Sequence, residues 1–241
     1  MNKTRKSVPS TIQANLDKFK LKPYVAVLDI ETVGERIDSA VCTIGCVIKN
    51  IFTGKEIDSF YIKIDWRHQL SAKRNKQRRF KTKATMKWWQ DQLERSPNAY
   101  NEVFESDSNR LLIKSALQKL NQFLRKHWSK RPQVMGNGPE FDNAMLAHAM
   151  RQYDIEPAWD FGCNQSLRTV VLLGRMLLGT NPRYDRKFEG EHHHALDDAR
   201  NEAEDAFAII SELADRVSRL DALESAQGSI WTRMRNVFVP Y

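Results

Sequence analysis

The chain has 241 residues, of which 41% are hydrophobic and 28% charged, a composition that supports one folded domain with extensions and excludes global disorder. Lys and Arg outnumber Asp and Glu by 38 to 30, so the formal net charge is +8. This charge favours an anionic partner such as nucleic acid, although a basic soluble protein without such a partner would have it too.

The sequence shows no signal for export or for a membrane. All apolar runs are shorter than the roughly 18 residues of a spanning helix, and no apolar segment follows the basic residues near the N-terminus. The three cysteines, Cys42, Cys46 and Cys163, form no CxxC pair. We therefore expect a reduced, cytoplasmic protein without a disulfide framework, a zinc site or a membrane partner.

The first part of the chain predicts three strands. Residues 1–22 are polar and basic and are interpreted as an N-terminal extension. The run YVAVLDIE (24–31) is almost continuously apolar, which is typical of a strand buried on both faces. Residues 41–48 and 56–64 predict two further strands, and the turn signal at Thr53-Gly54 joins them into an antiparallel meander.

Helical patterns dominate the rest of the chain, with one short strand at 133–138 that ends in a glycine turn. The predicted helices cover 85–94, 109–127, a segment that begins near Phe141, 167–178 and 195–220. Residues 65–83 have no clear period. The element order β-β-β-α-α-β-α-(β)-α-α predicts one α/β domain over 23–220, with a mixed sheet of three antiparallel strands plus parallel strands flanked by helices, and a C-terminal tail at 221–241.

Two carboxylates stand at the end of the first predicted strand. Asp29 and Glu31 are two residues apart, so both side chains point to the same face. Two like charges at the end of an apolar strand repel each other and resist desolvation, and a divalent cation such as Mg²⁺ relieves both problems. A solvated strand end, where acids are common, is the alternative.

Further acids begin two of the predicted helices. Asp142 lies at the start of a helix after a glycine-rich turn, and Asp198 lies in the first turn of the last helix, at the border between its apolar stripe and solvent. Favourable interaction with the helix dipole alone would explain both acids.

Three consecutive histidines, His192, His193 and His194, precede the last helix. A neutral imidazole on this loop, beside a metal, could take a proton from water. The alternative is an exposed polar loop. A transition-metal site made of all three is disfavoured, because adjacent side chains rarely point the same way.

Together these motifs resemble those of the DEDDh exonucleases of the ribonuclease H-like superfamily. The three motifs are Asp29-Ile30-Glu31, Phe141-Asp142 and HHALDDA at 193–199, the last of which also resembles oligoribonucleases and selects His193, five residues before Asp198. The stretches DIETVGERIDSAVCTIGCVI and TMKWWQDQ narrow the resemblance to the group that contains phage exonuclease A and the Rv2179c-like 3′→5′ exoribonucleases, over about residues 23–215. Members of that group often have an acid shortly before the Arg-Thr pair, whereas NQSLRT stands here.

The resemblance implies a ribonuclease H-like fold and a metal-dependent 3′-5′ exonuclease that releases nucleoside 5′-monophosphates. Two ions of Mg²⁺ or Mn²⁺ would be held by Asp29, Glu31, Asp142 and Asp198, with His193 as general base. The expected substrate is the 3′ end of single-stranded DNA or RNA, with DNA slightly favoured. There are two alternatives to this function: an exoribonuclease that trims RNA 3′ ends, and a nucleic-acid-binding protein on the same fold without catalysis. The phage-like resemblance suggests the host cytoplasm.

Substrate contacts are predicted from position. Trp88 and Trp89 are candidates for stacking on bases, but neighbouring helix residues face different ways, so at least one of them is expected in the core. Asn137 and Glu140, close to Asp142, and the later Arg168 are candidates for contacts with the terminal nucleotide. The run KRNKQRRFKTK (73–83), with Arg78 and Arg79, is either a phosphate-binding segment or a flexible solvated loop. The sequence makes no prediction of oligomeric state.

Overall fold

The computed structural model describes residues 7–71, 77–105 and 108–237, with side chains described as far as residue 227. Within these residues one sheet has the strand order β3-β2-β1-β4-β5, in which β1–β3 are antiparallel neighbours and β4 and β5 continue parallel to β1. The strands are β1 (Tyr24–Thr32), β2 (Val41–Asn50), β3 (Glu56–Lys63), β4 (Val134–Gly136) and β5 (Asn164–Ser166). The predicted mixed sheet is confirmed.

The helices surround this sheet. They are α1 (Ser10–Phe19), α2 (Trp66–Leu70), α3 (Lys83–Arg95), α4 (Pro97–Phe104), α5 (Ile113–His127), α6 (Asp142–Gln152), α7 (Leu167–Leu173), α8 (Pro182–Asp185) and α9 (Ala195–Val237). The short helices α2, α4 and α8 were not predicted, and α7 continues as a π-helical segment at Gly174–Leu178. None of the helices in the described part of the chain has the length and hydropathy needed to span a bilayer.

Both predicted extensions contain helix. Helix α1 forms within residues 1–22, and its Leu16 packs against Phe52 and Ala214 of the domain. Helix α9 continues beyond residue 220, where the predicted helix ends, as far as Val237. The division of the chain at residues 22 and 220 stays a prediction.

Strand β1 separates two layers of the core because its side chains alternate between the two faces of the sheet. Ala26, Leu28 and Ile30 belong to the cluster that contains residues of α5 and α6. Val25 and Val27 belong to the cluster that contains residues of α7 and α9. Asp29 and Glu31 continue this second row, so the strand directs both carboxylates towards the α9 side.

Helix α9 lies very close to the sheet because small residues meet at the contact. Ala195, Ala199, Ala203 and Ala206 are buried along its inner face. On β2 the facing residue is Gly45, which pairs with Asp29 of β1, and a Cβ added there would overlap the carbonyl of Ala195. Glycine at this position therefore allows backbone to lie directly against backbone.

Substitution of Gly45 tests this close contact. We expect Gly45→Ala to lower the free energy of unfolding by about 1–3 kcal/mol, because the added methyl must displace the first turn of α9. Chemical denaturation measures the loss. Gly162→Ala is the matched control, since its added Cβ would meet side-chain atoms alone, Asp160 Oδ1 at 3.1 Å and Arg131 Nη2 at 4.0 Å, and it should change stability by no more than about 0.5 kcal/mol. Equal stability of the two variants would contradict the close contact.

Candidate active site

Asp29 and Glu31 lie near the end of β1, where the regular pairing of β1 with β2 is interrupted. The register with β2 shifts between Glu31 and Thr32, next to the second acid. Burial raises the pKa of Asp29 well above its ordinary value, and the charges of Asp142 and Glu31 raise it further. Burial, followed by the charges of Asp198 and Asp142, has the same effect on the pKa of Glu31. Both groups therefore lie among other carboxylates in a poorly solvated place.

Asp142 reaches the same place from the other side of β1. Strand β4 runs parallel to β1 and pairs Gly136 with Leu28, so the turn after β4 starts α6 beside the two acids. A Cβ at Gly136 would lie 3.1 Å from Oδ2 of Asp142, which shows that glycine leaves room for this carboxylate. Asp142 is only 4% exposed, and burial raises its pKa to about 7. Hydrogen bonds from the backbone amides of Asp142 and Ile30 lower the pKa, but burial outweighs them.

Asp198 completes the group from the first turn of α9. Burial raises its pKa to about 7, although a backbone hydrogen bond at His193 lowers it. One ligand atom each from Glu31, His193 and Asp198 lie within 4.8 Å of one another. Crowded carboxylates in a buried place, with an imidazole beside them, are a donor set that suits a hard divalent cation.

The three consecutive histidines point in three directions. His192 stacks on Phe188 with ring centroids 3.7 Å apart, and His194 lies against Tyr61 at 4.6 Å. His193 alone of the three is in the group with Glu31 and Asp198, and its ring meets Trp88 edge to face at 4.8 Å. The geometry agrees with the selection of the middle histidine and disfavours a site made of all three.

Sequence reasoning missed one acid of this group, Glu202. It is 8% exposed, and its Oε2 has no hydrogen-bond partner within the described residues. Burial and the charges of Asp142 and Asp198 raise its pKa well above the ordinary value, although Arg183 opposes the shift. Glu202 follows Asp198 by four residues, so both lie on the same helix face, and that spacing was the signal available in the sequence.

A cleft of about 440 Å³ opens beside the carboxylates. Its lining includes Glu31, Glu35, Trp88 and Phe141. Trp88 is 38% exposed, whereas Trp89 is buried and donates from Nε1 to the backbone oxygen of Thr32 at 2.8 Å. The expectation that at least one of the two tryptophans is in the core is confirmed, and Trp89 is not available for stacking.

A larger groove of about 720 Å³ lies along α8 and α9, but none of the predicted metal-binding carboxylates lines it. The smaller cleft, which Glu31 lines, is therefore the candidate site.

The prediction that Arg79 contacts phosphate is wrong. Arg79 is fully buried, and its guanidinium donates to the backbone oxygens of Ile37 and Ser39 and to Gln152. It ties the segment before α3 to the turn after β1. Arg78 is exposed, and its predicted contact with phosphate stays a prediction. Residues 73–76 of the basic run lie outside the described residues.

The other predicted substrate contacts lie at the edge of the site. Glu140 and Arg168 pair with each other at 2.8 Å, and both side chains are largely exposed. Their charges act on Asp142 in opposite directions, which places the pair near that carboxylate. The Oδ1 atom of Asn137 is buried and has no hydrogen-bond partner among the described residues. Contact of these three residues with substrate stays a prediction.

The sheet, its flanking helices and this group of acids with one histidine define a DEDDh exonuclease of the ribonuclease H-like type. The nuclease domain of 3′hExo, a DEDDh family member bound to rAMP, has a TM-score of 0.54 at 12% identity, over 79% of this chain and 92% of that one. Cell-death related nuclease 4 has a TM-score of 0.55 at 15% identity, over 79% and 64%. Exonuclease I has a TM-score of 0.53 at 11% identity, over 76% of this chain and 40% of that one. At these identities the similarity shows the fold.

The family model described as the 3′-5′ exoribonuclease Rv2179c-like domain matches residues 25–210. The chain belongs to this family, and it is a 3′-5′ exonuclease. The resemblance drawn from the sequence motifs is thereby confirmed. A search of curated proteins found no match.

The raised pKa values predict how stability depends on pH without metal. The folded state retains protons on Asp142 and Asp198 up to about pH 7, whereas the unfolded chain releases them near pH 4. The folded state therefore binds more protons in this window, and stability falls as pH rises through it. In EDTA we expect a Tm several degrees lower at pH 8 than at pH 5, measured by scanning calorimetry.

Asp142→Asn serves as the matched variant, because it removes one of the repelling charges without changing the side-chain size. In EDTA it should be more stable than the wild type at pH 8, and Mg²⁺ should raise the wild-type Tm more at pH 8 than at pH 5. A wild-type Tm that rises from pH 5 to pH 8 without metal would contradict the mutual repulsion of the buried acids.

Proposed function

We propose that the protein removes nucleotides from the 3′ end of single-stranded nucleic acid by a two-metal mechanism, with His193 as general base. The observation that carries this proposal is the convergence of Asp29, Glu31, Asp142 and Asp198, from three separate elements, on one poorly solvated place. Such a group of like charges is costly in the absence of cations, and four carboxylates suit two ions of Mg²⁺ or Mn²⁺.

The four carboxylates would hold the two ions, with ligand atoms of Glu31 and Asp198 within 4.8 Å of one on His193. When bound, the metal pair supplies the positive charge that stabilises the attacking and leaving oxygens around the scissile phosphate. Side chains of the protein would orient the substrate and accept the proton.

His193 is suited to accept that proton. Its pKa is lowered, first by burial and then by the neighbouring His192, which favours the neutral form of the ring that can accept a proton. Its edge-to-face contact with Trp88 restricts the orientation of the ring. A neutral imidazole held beside Glu31 and Asp198 can deprotonate a water molecule that attacks the phosphate, and the product would be a nucleoside 5′-monophosphate.

The cleft beside the acids is the proposed place for the terminal nucleotide. Exposed Trp88 and the partly buried Phe141 would provide aromatic faces for a base. Because Glu31 also lines the cleft, the sugar-phosphate end of that nucleotide would lie next to the acids. Asn137, Glu140, Arg168 and Arg78 are proposed as contacts further along the strand. Arg78 would add a salt-dependent contact with phosphate.

RNA is the second candidate substrate beside DNA, which the sequence analysis slightly favoured. The matching family model is that of an exoribonuclease domain, and solved structures with this fold include a 3′-exonuclease that specifically recognises the 3′ end of a histone mRNA stem-loop. Matched 5′-labelled DNA and RNA oligonucleotides, each with Mg²⁺, Mn²⁺ or EDTA, decide between them. The faster of the two metal-dependent ladders identifies the substrate. Tight binding without a ladder in any metal would contradict catalysis.

The metal ligands and the base are tested on the same oligonucleotides. Asp198→Ala should nearly abolish turnover, because it removes a carboxylate that holds the metal. His193→Ala should lower kcat by about 10²–10⁴-fold and leave oligonucleotide binding intact, since it removes only the proton acceptor.

His192→Ala and His194→Ala are the matched controls, because their rings face Phe188 and Tyr61 outside the acid group. Both should retain activity close to that of the wild type. If all three histidine variants lost activity equally, the assignment of His193 would be wrong.

Trp88 is tested by the affinity for oligonucleotides. We expect Trp88→Ala to weaken binding by about 1–3 kcal/mol, because one base loses its stacking partner, whereas Trp88→Phe keeps a ring and most of the affinity. Fluorescence anisotropy with a labelled oligonucleotide in Ca²⁺ measures this. Leu93→Ala, at another exposed position of α3, is the control and should bind like the wild type. Unchanged affinity in Trp88→Ala would argue against stacking.

A further inference from the structure

The histidine assigned as the base has a backbone conformation that needs support. His193 has φ 64°, in the left-handed region that a residue with a Cβ rarely adopts. Gly190, three residues earlier, has φ 98°, so the loop turns sharply twice before α9 begins. Such a conformation persists only when surrounding contacts fix it.

One buried side chain provides much of that support. Asn201, on α9, is 6% exposed. Its Nδ2 donates to the backbone oxygen of Glu189 at 2.7 Å, and its Oδ1 accepts from the backbone N–H of the same residue at 3.0 Å. The amide thus pairs with both backbone groups of Glu189 as a neighbouring strand would.

The same amide also connects the loop to the helix. Asn201 Nδ2 donates to the backbone oxygen of Asp197 at 2.8 Å, and Arg186 donates to Asn201 Oδ1 at 3.1 Å and to Asp205 at 3.2 Å. Asp197 in turn accepts from the backbone N–H of Glu191 at 3.1 Å. The loop is therefore fixed to α9 at Arg186, Glu189 and Glu191, immediately before the histidines.

We propose that Asn201 is a positioning residue that holds the His193 ring beside Glu31 and Asp198. The inference rests on the proposed role of His193 as the base. Asn201 itself reaches no reacting atom. It acts through the backbone of Glu189 and the guanidinium of Arg186, and its loss would let the loop and the imidazole move while the carboxylates keep their places.

Asn121 offers a matched control. It is also a buried asparagine, at 4% exposure, and its amide pairs with the backbone of another loop. Nδ2 donates to the backbone oxygen of Glu156 at 2.8 Å, and Oδ1 accepts from the backbone N–H of Ala158 at 2.9 Å. That loop lies outside the candidate active site. Asn121→Ala and Asn201→Ala therefore delete the same kind of contact at different places.

The experiment compares both variants with the wild type in Mg²⁺, well below their melting temperatures. For Asn201→Ala we expect kcat to fall about 10–100-fold with KM changed by less than about threefold, because only the base is displaced. Backbone hydrogen exchange should become faster at residues 186–194. Asn121→Ala should lower Tm similarly and keep the wild-type kcat. Asn201→Asp places an oxygen against the carbonyls of Glu189 and Asp197 and should be impaired like Asn201→Ala.

Several outcomes would overturn the positioning role. Equal loss of kcat in Asn201→Ala and Asn121→Ala would mean that only general stability matters. Faster exchange of the loop without a change in kcat would show that the base needs no such support, while the proposed function stands. A wild type without any metal-dependent ladder would instead reject the proposed function, and the positioning role with it.

Discussion

Helix α9 lies directly against β2 because Gly45 has no side chain, and the geometry of the active site depends on this contact. Gly45 pairs with Asp29 across the β1–β2 ladder, and its Cα faces the backbone of Ala195, where α9 begins. Asp198 follows within the first turn of the helix. The glycine thus brings an acid of the last helix to the acids of the first strand, although they are distant along the chain. The buried alanines of α9 keep the same short separation further along.

The packing that holds the fold together also concentrates negative charge. Asp29 and Glu31 occupy the row of β1 that otherwise contains the core residues Val25 and Val27, so both carboxylates are partly removed from solvent and burial raises their pKa. Glu202 adds a further charge from α9. Arg168 and Arg183 oppose the rise in the pKa of Asp142 and of Glu202, but burial outweighs them and both pKa values stay raised. Cations bound within the group, as proposed, would relieve the repulsion between these charges and would thereby raise the stability of the fold.

Local patterns of the sequence predicted much of this arrangement. The apolar run of β1, its i and i+2 acids, the mixed sheet and the main helices follow from periods of two and 3.6 residues, which need no tertiary information. The burial of Arg79 could not be predicted in this way, since its partners Ile37, Ser39 and Gln152 come from separate elements. Gly45 was missed for the same reason, because its role depends on which strand α9 packs against, and that contact is not encoded in any short window. Glu202 was missed although its spacing of four residues from Asp198 is visible in the sequence.

The loop before α9 shows how a polar face of the helix complements its apolar one. Alanines at 195, 199 and 203 face the sheet, while Asp197, Asn201 and Asp205 recur at the same helical spacing and face the loop. A hydrophobic contact could bury this loop but would not define its direction, because apolar packing has no preferred orientation. Hydrogen bonds to backbone groups do define it. The helix therefore uses small apolar residues to approach the sheet and polar residues to direct the loop, and His193 occupies the place where the two surfaces meet.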